Sequence, residues 1–261
     1  QPMHSASNRY IIIFNGEIYN HLQLRKEIEA TNKISSWRGH SDTETLLAGF
    51  DVWGIQSTLE KINGMFAFAV WDIQKKTLNL ARDRLGEKPL YYGWHGVGNN
   101  KVFLFGSELK AFRKHPAFEG KINRNGLSLQ LRHNYIPAPY SIYEGIEKLT
   151  PGSLLEVSLE QHYSKVWKYW SGSEIVQYGA QNVFIGSDEQ AIHKLEKLLK
   201  DAINKQMIAD VPLGAFLSGG DDSSTIVALM QSMSKDPVKT FTIGFNDKNF
   251  TEAVYSKAVA K

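Results

Sequence analysis

The stretch that decides the fold of the second half of the chain is residues 217–224, which read LSGGDDSS. Before it lies a mostly apolar segment, Val211 to Leu217, typical of a strand. After it, apolar residues recur at the spacing of one helix face, namely Ile226, Leu229, Met230 and Met233. A glycine-rich turn that opens a helix presents unpaired backbone N–H groups, and the helix dipole favours negative charge there. The serine hydroxyls add donors and Asp222 can hold a phosphate-bound Mg²⁺. The stretch therefore predicts a nucleotide site.

A strand-turn-helix with two glycines also occurs without any ligand, but the Asp-Ser-Ser that follows makes this stretch more specific. No Gly-Lys-Ser/Thr closes it, so it is not a Walker loop. It resembles the pyrophosphate loop, Ser-Gly-Gly-x-Asp-Ser, of the ATP pyrophosphatases, which cleave ATP between the α and β phosphates. Asp221 departs from that pattern, because the x position is usually aliphatic.

Length and composition narrow the class of protein. A chain of 261 residues has room for one large domain or two ordinary ones. Its net charge of +3 gives no reason to invoke nucleic acid or anionic lipid, and no apolar run approaches a membrane span. The absence of cysteine excludes a disulfide framework, a thiolate zinc site and a cysteine nucleophile within these residues. The chain opens with Gln1, and a helix capped by Asn249 and Glu252 still runs at Lys261, so we expect an internal piece of a longer cytoplasmic protein.

The first part of the sequence is dense in short strand signals with a few helices between them. Strands are predicted at residues 10–14, ended by a tight turn at Asn15-Gly16, and at 65–71, 77–81, 90–94 and 102–105. Helices are predicted over about 22–28, from a capping box Ser41…Glu44 with Leu46, Leu47, Phe50 and Trp53 inward, and around Ile55, Leu59 and Ile62. Strands and helices in clusters indicate an α+β layered domain.

The second part follows a stretch rich in Gly, Ser and Gln, residues 171–187, which we interpret as an interdomain linker. A capping box, Ser187…Gln190, opens a long helix whose buried side is predicted to carry Ile192, Leu195, Leu199 and Ile203. Then come the strand, the loop, a helix, a strand with Phe241, Ile243 and Phe245 alternating, and the last helix. This order predicts the start of a parallel α/β sheet.

A second group of motifs points to a family. Residues 14–20 read FNGEIYN and residues 40–44 read HSDTE. Alone, Asn-Gly is typical of a hairpin turn and Asp42 of a helix N-cap. Together with RDRLGEKPLYY at 82–92, FGSELK at 105–110 and the loop at 217–224, they match the glutamine amidotransferases of the N-terminal-nucleophile class. From end to end, and in the right order, the chain resembles the glutamine-hydrolysing asparagine synthetases.

The resemblance implies a fold and an activity. The expected fold is an α+β N-terminal-nucleophile glutaminase with αββα layers at residues 1–170, the linker at 171–187, and the first part of an α/β parallel-sheet ATP pyrophosphatase domain at 188–261. In this family the glutaminase releases ammonia from glutamine, and the synthetase uses ATP to convert aspartate to β-aspartyl-AMP. Ammonia passes between them through an internal tunnel. The implied ligands are glutamine, aspartate, ATP and Mg²⁺, and a homodimer is compatible with the family.

The resemblance also assigns residues. Asn15 and Gly16 supply the oxyanion hole, through a side-chain amide and a backbone N–H. Glu17 and Asp42 hold the α-amino end of glutamine. Leu217 and Ile243 flank adenine, and the pyrophosphate with its Mg²⁺ is held by Ser218, Gly219, Gly220, Asp222 and Ser223. The nucleophilic cysteine and the arginine that binds the glutamine carboxylate are expected upstream of Gln1, and the aspartate site beyond Lys261. A polypeptide of these residues alone is therefore expected to be inactive.

Two alternatives stay open at this stage. A relative could amidate another carboxylate, such as a sugar uronate or a β-lactam precursor, because the acceptor pocket lies outside these residues. A truncated copy could bind glutamine or a partner without turnover; Asp221 and the missing cysteine favour this, and the intact loops disfavour it. The charged residues Arg82, Arg84, Glu87 and Lys88 are expected to brace strands. Asp42→Asn is expected to weaken glutamine use far more than Asp72→Asn, because Asp72 lies at a hairpin end and its substitution should be nearly silent.

Overall fold

The computed structural model describes residues 1–33, 36–96, 98, 101–158, 163–209, 211–247 and 251–260. They form two compact units, Gln1–Gly179 and Ala180–Lys261. Within the described ranges, no helix is long and apolar enough to cross a membrane.

The first unit is a mixture of short strands and helices. Its strands are β1 (Met3–His4), β2 (Tyr10–Ile18), β3 (Gly64–Asp72), β4 (Thr77–Arg82), β5 (Tyr91–His95), β6 (Val102–Gly106), β7 (Glu147–Lys148), β8 (Ser153–Ser158) and β9 (Tyr163–Lys168). Its helices are α1 (His21–Glu29), α2 (Asp42–Trp53), α3 (Ile55–Lys61), α4 (Leu109–Phe112), α5 (Arg124–His133) and α6 (Gly172–Gln181). The strands form a six-stranded sheet, in the order β1-β2-β3-β4-β8-β9, and a three-stranded sheet, β6-β5-β7. All neighbouring strands in both sheets are antiparallel.

The two sheets are stacked between helices because alternate side chains of the central strands point to opposite faces. On β3, Phe66, Phe68 and Val70 pack against α1, α2 and α3, together with the apolar residues Leu24, Leu46, Leu47, Phe50 and Leu59. The intervening Ala67 and Ala69 face the second sheet. They pack there in an apolar cluster that includes Leu90, Tyr92, Phe103 and Phe105. Beyond that sheet, Phe112 of α4 packs with Tyr143 and Ile146. The αββα layering expected from the sequence is thus confirmed.

The prediction for β2 is wrong at its end. Asn15 and Gly16 do not form a turn; the strand continues through them to Ile18 and pairs with β3, Gly16 lying opposite Phe66. Tertiary pairing with a long buried neighbour overrides the local turn preference of Asn-Gly.

The prediction of a capping box at α2 is half right. Ser41 is the N-cap, and its side chain accepts a hydrogen bond from the Thr43 N–H. The Glu44 side chain does not return to Ser41; it accepts the N–H groups of Arg38 and Gly39. The carboxylate therefore stabilises the segment before the helix.

The second unit has a parallel pair of strands and three described helices. The elements are α7 (Asp188–Gln206), β10 (Gly214–Phe216), α8 (Asp221–Met233), β11 (Lys239–Phe241) and α9 (Ala253–Val259). Strands β10 and β11 pair in parallel, as expected. The capping box of Ser187 and Gln190 is present at α7. Both strands are shorter than predicted, and Ile243 and Phe245 lie outside β11. Asn249, predicted to cap α9, is outside the described residues.

The predicted buried side of α7 is largely exposed. Ile203 is buried, but Ile192 is 66 % and Leu195 57 % exposed. Two strands of three residues each are too short to cover a helix of 19 residues. The helical periodicity was correct, and the covering surface is missing from the described part of this unit.

The segment 171–187 is not irregular throughout, because α6 occupies Gly172–Gln181. The helix buries none of its residues. The boundary between the two units along the chain lies within this segment, after Gly179. The assignment of 171–187 as an interdomain linker stays a prediction.

Candidate functional sites

The end of strand β2 exposes two hydrogen-bond donors. The Asn15 side chain is exposed, and its Nδ2 donates to Ser107 Oγ at 3.2 Å. It borders a cavity of about 250 Å³ that Gly106 and Ser107 also line. Gly16 has no room for a side chain, since a Cβ there would lie 2.1 Å from the Met65 carbonyl oxygen. The close approach of β3 therefore requires glycine at this position.

The register of the sheet decides where the Gly16 N–H points. Its opposite residue, Phe66, uses both backbone groups toward Asp83: the N–H donates to Asp83 Oδ2, and the carbonyl accepts the Asp83 N–H. In an antiparallel ladder, Gly16 and Phe66 are then a non-hydrogen-bonded pair. The Gly16 N–H consequently faces the other edge of β2. At that edge the paired residues of β1 reach only Ile11 and Ile12 among the described strands.

A carboxylate from another element stands beside this strand end. Asp42, the first residue of α2, accepts the Ile18 N–H through Oδ2 at 2.9 Å. Glu17, the neighbour of Ile18, is exposed. The structure thus brings together the four residues predicted to bind glutamine, namely Asn15, Gly16, Glu17 and Asp42.

The surroundings of Tyr19 are negatively charged. Burial, followed by the charges of Glu87 and Glu17, raises the pKa of the Tyr19 phenol to about 12. Burial and the neighbouring Asp83 likewise raise the pKa of Glu87. The charges of Glu17 and Glu87 make this part of the unit suited to a ligand that carries an ammonium group.

The segment after β4 holds this region in place. Arg82 donates to the carbonyl oxygens of Lys88, Leu149 and Gly86 at 2.6–2.8 Å. Asp83, fully buried, accepts the N–H groups of Leu85, Glu87, Lys88 and Phe66. Arg84 donates to the carbonyl oxygens of Glu60 and Ile62. Arg82 and Arg84 brace the fold, as expected; Glu87 instead adds its charge near Tyr19.

The loop after β10 has the geometry of an anion site. It lies where the parallel strands end, and α8 begins at Asp221 directly after the N-cap Gly220. Gly219 has φ of +87°, and a Cβ there would lie 2.6 Å from Tyr255 Cβ, so only glycine fits. The Ser218 and Ser223 hydroxyls are 2.9 Å apart, and Ser223 Oγ also accepts the Ser218 N–H at 3.3 Å. The loop is preformed.

The donors of this loop fit phosphate. The first N–H groups of a helix have no partner within it, and the buried hydroxyl of Ser224 has no hydrogen-bond partner among the described residues. Asp221 and Asp222 are exposed. No group of three His, Cys, Asp or Glu side chains able to hold a metal occurs in the part of the chain that is described. One carboxylate fits a Mg²⁺ ion whose other ligands are phosphate and water.

The two residues predicted to flank adenine, Leu217 and Ile243, differ in how far their side chains are exposed. Leu217 is 2 % exposed; its N–H donates to the Phe241 carbonyl, and its own carbonyl accepts the Thr242 hydroxyl. These contacts join the two strands. Ile243 is 66 % exposed and is the one of the pair whose side chain is accessible to a base.

Comparison with known families decides the class. The family model described as glutamine amidotransferase domain matches residues 1–170. The chain belongs to this family. A second family model, asparagine synthase, matches residues 194–261 of the amidotransferase chain.

Curated relatives resemble the amidotransferase chain along almost its whole length. "Asparagine synthetase [glutamine-hydrolyzing] 3" of Bacillus subtilis is 36 % identical over 98 % of this chain and 40 % of its own length. "Putative asparagine synthetase [glutamine-hydrolyzing] 2" of Methanocaldococcus jannaschii is 37 % identical over 95 % and 45 %. The chain thus spans less than half the length of these relatives. Among solved structures, an allosteric regulatory enzyme of purine biosynthesis covers 94 % of this chain and 48 % of its own, with 19 % identity and a TM-score of 0.47.

Sequence reasoning missed two features of this amidotransferase. The proximity of Glu87 and Tyr19 arises from the packing of β2 beside the segment after β4, and no local pattern marks it. The buried Asp83 had a usable signal: a carboxylate directly after a strand, followed by Leu-Gly, is typical of a side chain that accepts the N–H groups of a turn.

Proposed function

We propose that this chain carries the glutaminase half and the first part of the synthetase half of a glutamine-hydrolysing asparagine synthetase, an ATP-dependent carbon–nitrogen ligase. The observation that carries the proposal is the Gly16 N–H, which faces the edge of β2 away from β3, next to Asn15 and on the same edge as the contact between Asp42 and the Ile18 N–H. The names of the curated relatives support it. Nothing observed favours an acceptor other than aspartate. A cytoplasmic location is part of the proposal, and the use of ATP and amino acids as substrates supports it.

The glutaminase chemistry follows from these two donors. When a thiolate attacks the glutamine side-chain amide, the carbonyl oxygen becomes an oxyanion, which Asn15 Nδ2 and the Gly16 N–H stabilise. Asn15 must first leave Ser107 Oγ. Glu17 and Asp42 bind the α-ammonium group, and the charge of Glu87 favours the same cation. Because the sheet fixes Gly16, little reorganisation is needed as the oxyanion forms.

The nucleotide half uses the loop after β10. Backbone N–H groups at the start of α8 and the hydroxyls of Ser218 and Ser223 bind the pyrophosphate, and Gly219 and Gly220 allow its close approach. Asp222 would hold Mg²⁺, and the ion would supply positive charge to the pyrophosphate. Ile243 contacts adenine. These groups orient ATP so that the aspartate carboxylate can displace pyrophosphate.

The test uses the protein at its full natural length, with ammonia release from glutamine and asparagine formation both measured. Asn15→Ala should lower kcat for glutamine hydrolysis about 10²- to 10³-fold. Asp42→Asn should raise KM for glutamine by about thirtyfold, since loss of one charge partner costs about 2 kcal/mol. Glu60→Gln, an exposed carboxylate on α3, is the matched control and should change neither constant. A wild-type protein that releases no ammonia from glutamine would refute the proposal, and one that amidates only another carboxylate would refute asparagine as its product.

A polypeptide of residues 1–261 provides a negative control. It contains no cysteine, and oxyanion donors do not accelerate hydrolysis without an attacking thiolate. We expect no ammonia release above the buffer blank. Saturable release from the purified polypeptide would show that the nucleophile is not a cysteine.

A further inference from the structure

Arg25, on α1, is a buried cation that sequence reasoning did not single out. The residue is 8 % exposed. Its guanidinium donates to Thr45 Oγ1 at 2.8 Å, to the Gly39 carbonyl at 2.8 Å and to the Ser41 carbonyl at 3.0 Å. It also lies 4.2 Å from the ring centroid of Trp37. Each of the three guanidinium nitrogens therefore donates a hydrogen bond, and most of these contacts are with the segment that leads into α2.

Glu44, on α2, holds the same segment from the other side. Its carboxylate accepts the Arg38 N–H at 2.7 Å and the Gly39 N–H at 3.0 Å, and lies 3.5 Å from the Arg25 guanidinium. Gly39 is thus fixed at both its N–H and its carbonyl. The two charged side chains compensate each other in a place with little water.

The fixed segment, residues 37–41, ends immediately before Asp42. Ser41, whose carbonyl Arg25 binds, is also the N-cap of α2. Asp42, the next residue, reaches across to the Ile18 N–H at 2.9 Å. The direction of the Asp42 carboxylate therefore depends on how segment 37–41 is held.

We propose that Arg25 and Glu44 are positioning residues for glutamine: they fix segment 37–41 so that the Asp42 carboxylate stands at the end of β2. The inference rests on the function proposed above. Neither residue touches the substrate. Arginine is required because its planar fork reaches three acceptors in fixed directions, and the compact ammonium of lysine cannot do so.

The experiment is a double-mutant cycle on the full-length protein, with glutamine-dependent and ammonia-dependent asparagine formation measured in parallel. Arg25→Lys should raise KM for glutamine about tenfold, because a small misplacement of a binding group is costly. Its ammonia-dependent rate should equal that of wild type. In the Asp42→Asn background the same change should add little, because residues acting through one contact are not additive. Lys26→Met, the exposed neighbour on α1, should behave like wild type.

Several results would overturn the inference. These are an unchanged KM for glutamine in Arg25→Lys, a parallel fall of both activities, and effects of Arg25 and Asp42 that simply add. If Arg25→Lys fails to fold, Glu44→Gln is the second variant, and an unchanged KM there has the same meaning. A wild-type protein without glutaminase activity overturns the proposed function and this inference together. An active wild type with an unresponsive Arg25→Lys overturns the inference alone.

Discussion

Asp221 is the first residue of α8, and its side chain is exposed. It does not turn toward the sheet, so no unpartnered carboxylate is buried at this position. In the proposed complex its carboxylate would stand near the phosphates in solvent, where repulsion at ~5 Å is about 1 kcal/mol per charge pair. Asp221→Ile in the full-length protein should therefore bind ATP about fivefold more tightly.

This effect is measured as the dissociation constant for ATP across a series of Mg²⁺ concentrations. Asp222→Ile is the comparison, because the neighbouring carboxylate is proposed to help and its loss should weaken binding. If Asp221→Ile binds ATP less tightly and loses its dependence on Mg²⁺, Asp221 is itself a metal ligand.

Asp72, expected only to lie at a hairpin end, is a buried carboxylate with a cationic partner. It is 1 % exposed, pairs with Arg9 at 2.8 Å and accepts the Gln74 and Lys75 N–H groups. Burial alone would raise its pKa, but the Arg9 guanidinium and these N–H groups outweigh burial and hold the pKa below its usual value. The expectation that Asp72→Asn is nearly silent in glutamine use stays a prediction, but the buried ion pair predicts a cost in stability.

We expect Asp72→Ala to lower stability by about 2 kcal/mol at neutral pH. This corresponds to about 4–8 °C in melting temperature. Because its folded pKa is lowered, the contribution of Asp72 is complete above the unfolded pKa near ~4 and is lost as the pH falls below it. The gap in melting temperature between wild type and variant should narrow at acid pH, while Glu60→Gln stays close to wild type. A constant gap would argue against the ionised carboxylate as the source.

At the scale of elements, the pairing of β2 with β3 depends on Gly16. A methyl group there would overlap the Met65 carbonyl, so Gly16→Ala should destabilise the protein by about 3 kcal/mol. Gly179→Ala is the control, since a Cβ at Gly179 meets no atom within 4 Å and alanine favours a helix. Thermal unfolding measures both. Equal melting temperatures for the two variants would mean that β3 can move away from β2 easily.

Elements formed by local patterns could be predicted from the sequence. The apolar run of β3, the alternation in β4, the helix periodicity of α2 and the capping box of α7 are each contained in a short window. The strands β8 and β9 were missed. Strand β8 is placed by pairing with β4, where Thr77 lies opposite Ser158, and short-range signals carry no information about such a distant partner. Similarly, Asn15-Gly16 is a dipeptide typical of turns, and it is extended here because the strand pairs with β3.

The candidate site likewise contains residues that could be predicted from the sequence and residues that could not. The resemblance supplied Asn15, Gly16, Glu17 and Asp42, and the structure brings them together. The residues that hold them could not be inferred, because Arg25 and Asp83 act on backbone groups of other elements. A buried side chain bonded to carbonyl and N–H groups leaves no pattern of residue types in the segment that it binds.

At the scale of the whole molecule, the second unit exposes much apolar surface. Phe216 is 77 % and Phe241 56 % exposed, in addition to the uncovered face of α7. Hydrophobic burial is the main stabilising contribution to folding, so residues 188–261 expressed alone should not fold cooperatively. Calorimetry should show no unfolding peak, and amide hydrogen exchange should be complete early. A sharp thermal transition from this segment alone would contradict this.

Gly16 is required by the close approach of β3, and its backbone N–H is also part of the proposed oxyanion hole. A lineage released from selection for glutamine hydrolysis would still be forced to keep this glycine, because losing it damages the sheet. The fold places no such constraint on Asn15. Its side chain is exposed, and its one hydrogen bond among the described residues is to Ser107. Drift should therefore erase Asn15 long before Gly16 in a decaying copy. Under the proposed function, replacement of Asn15, rather than of Gly16, is the change that would mark a copy without turnover.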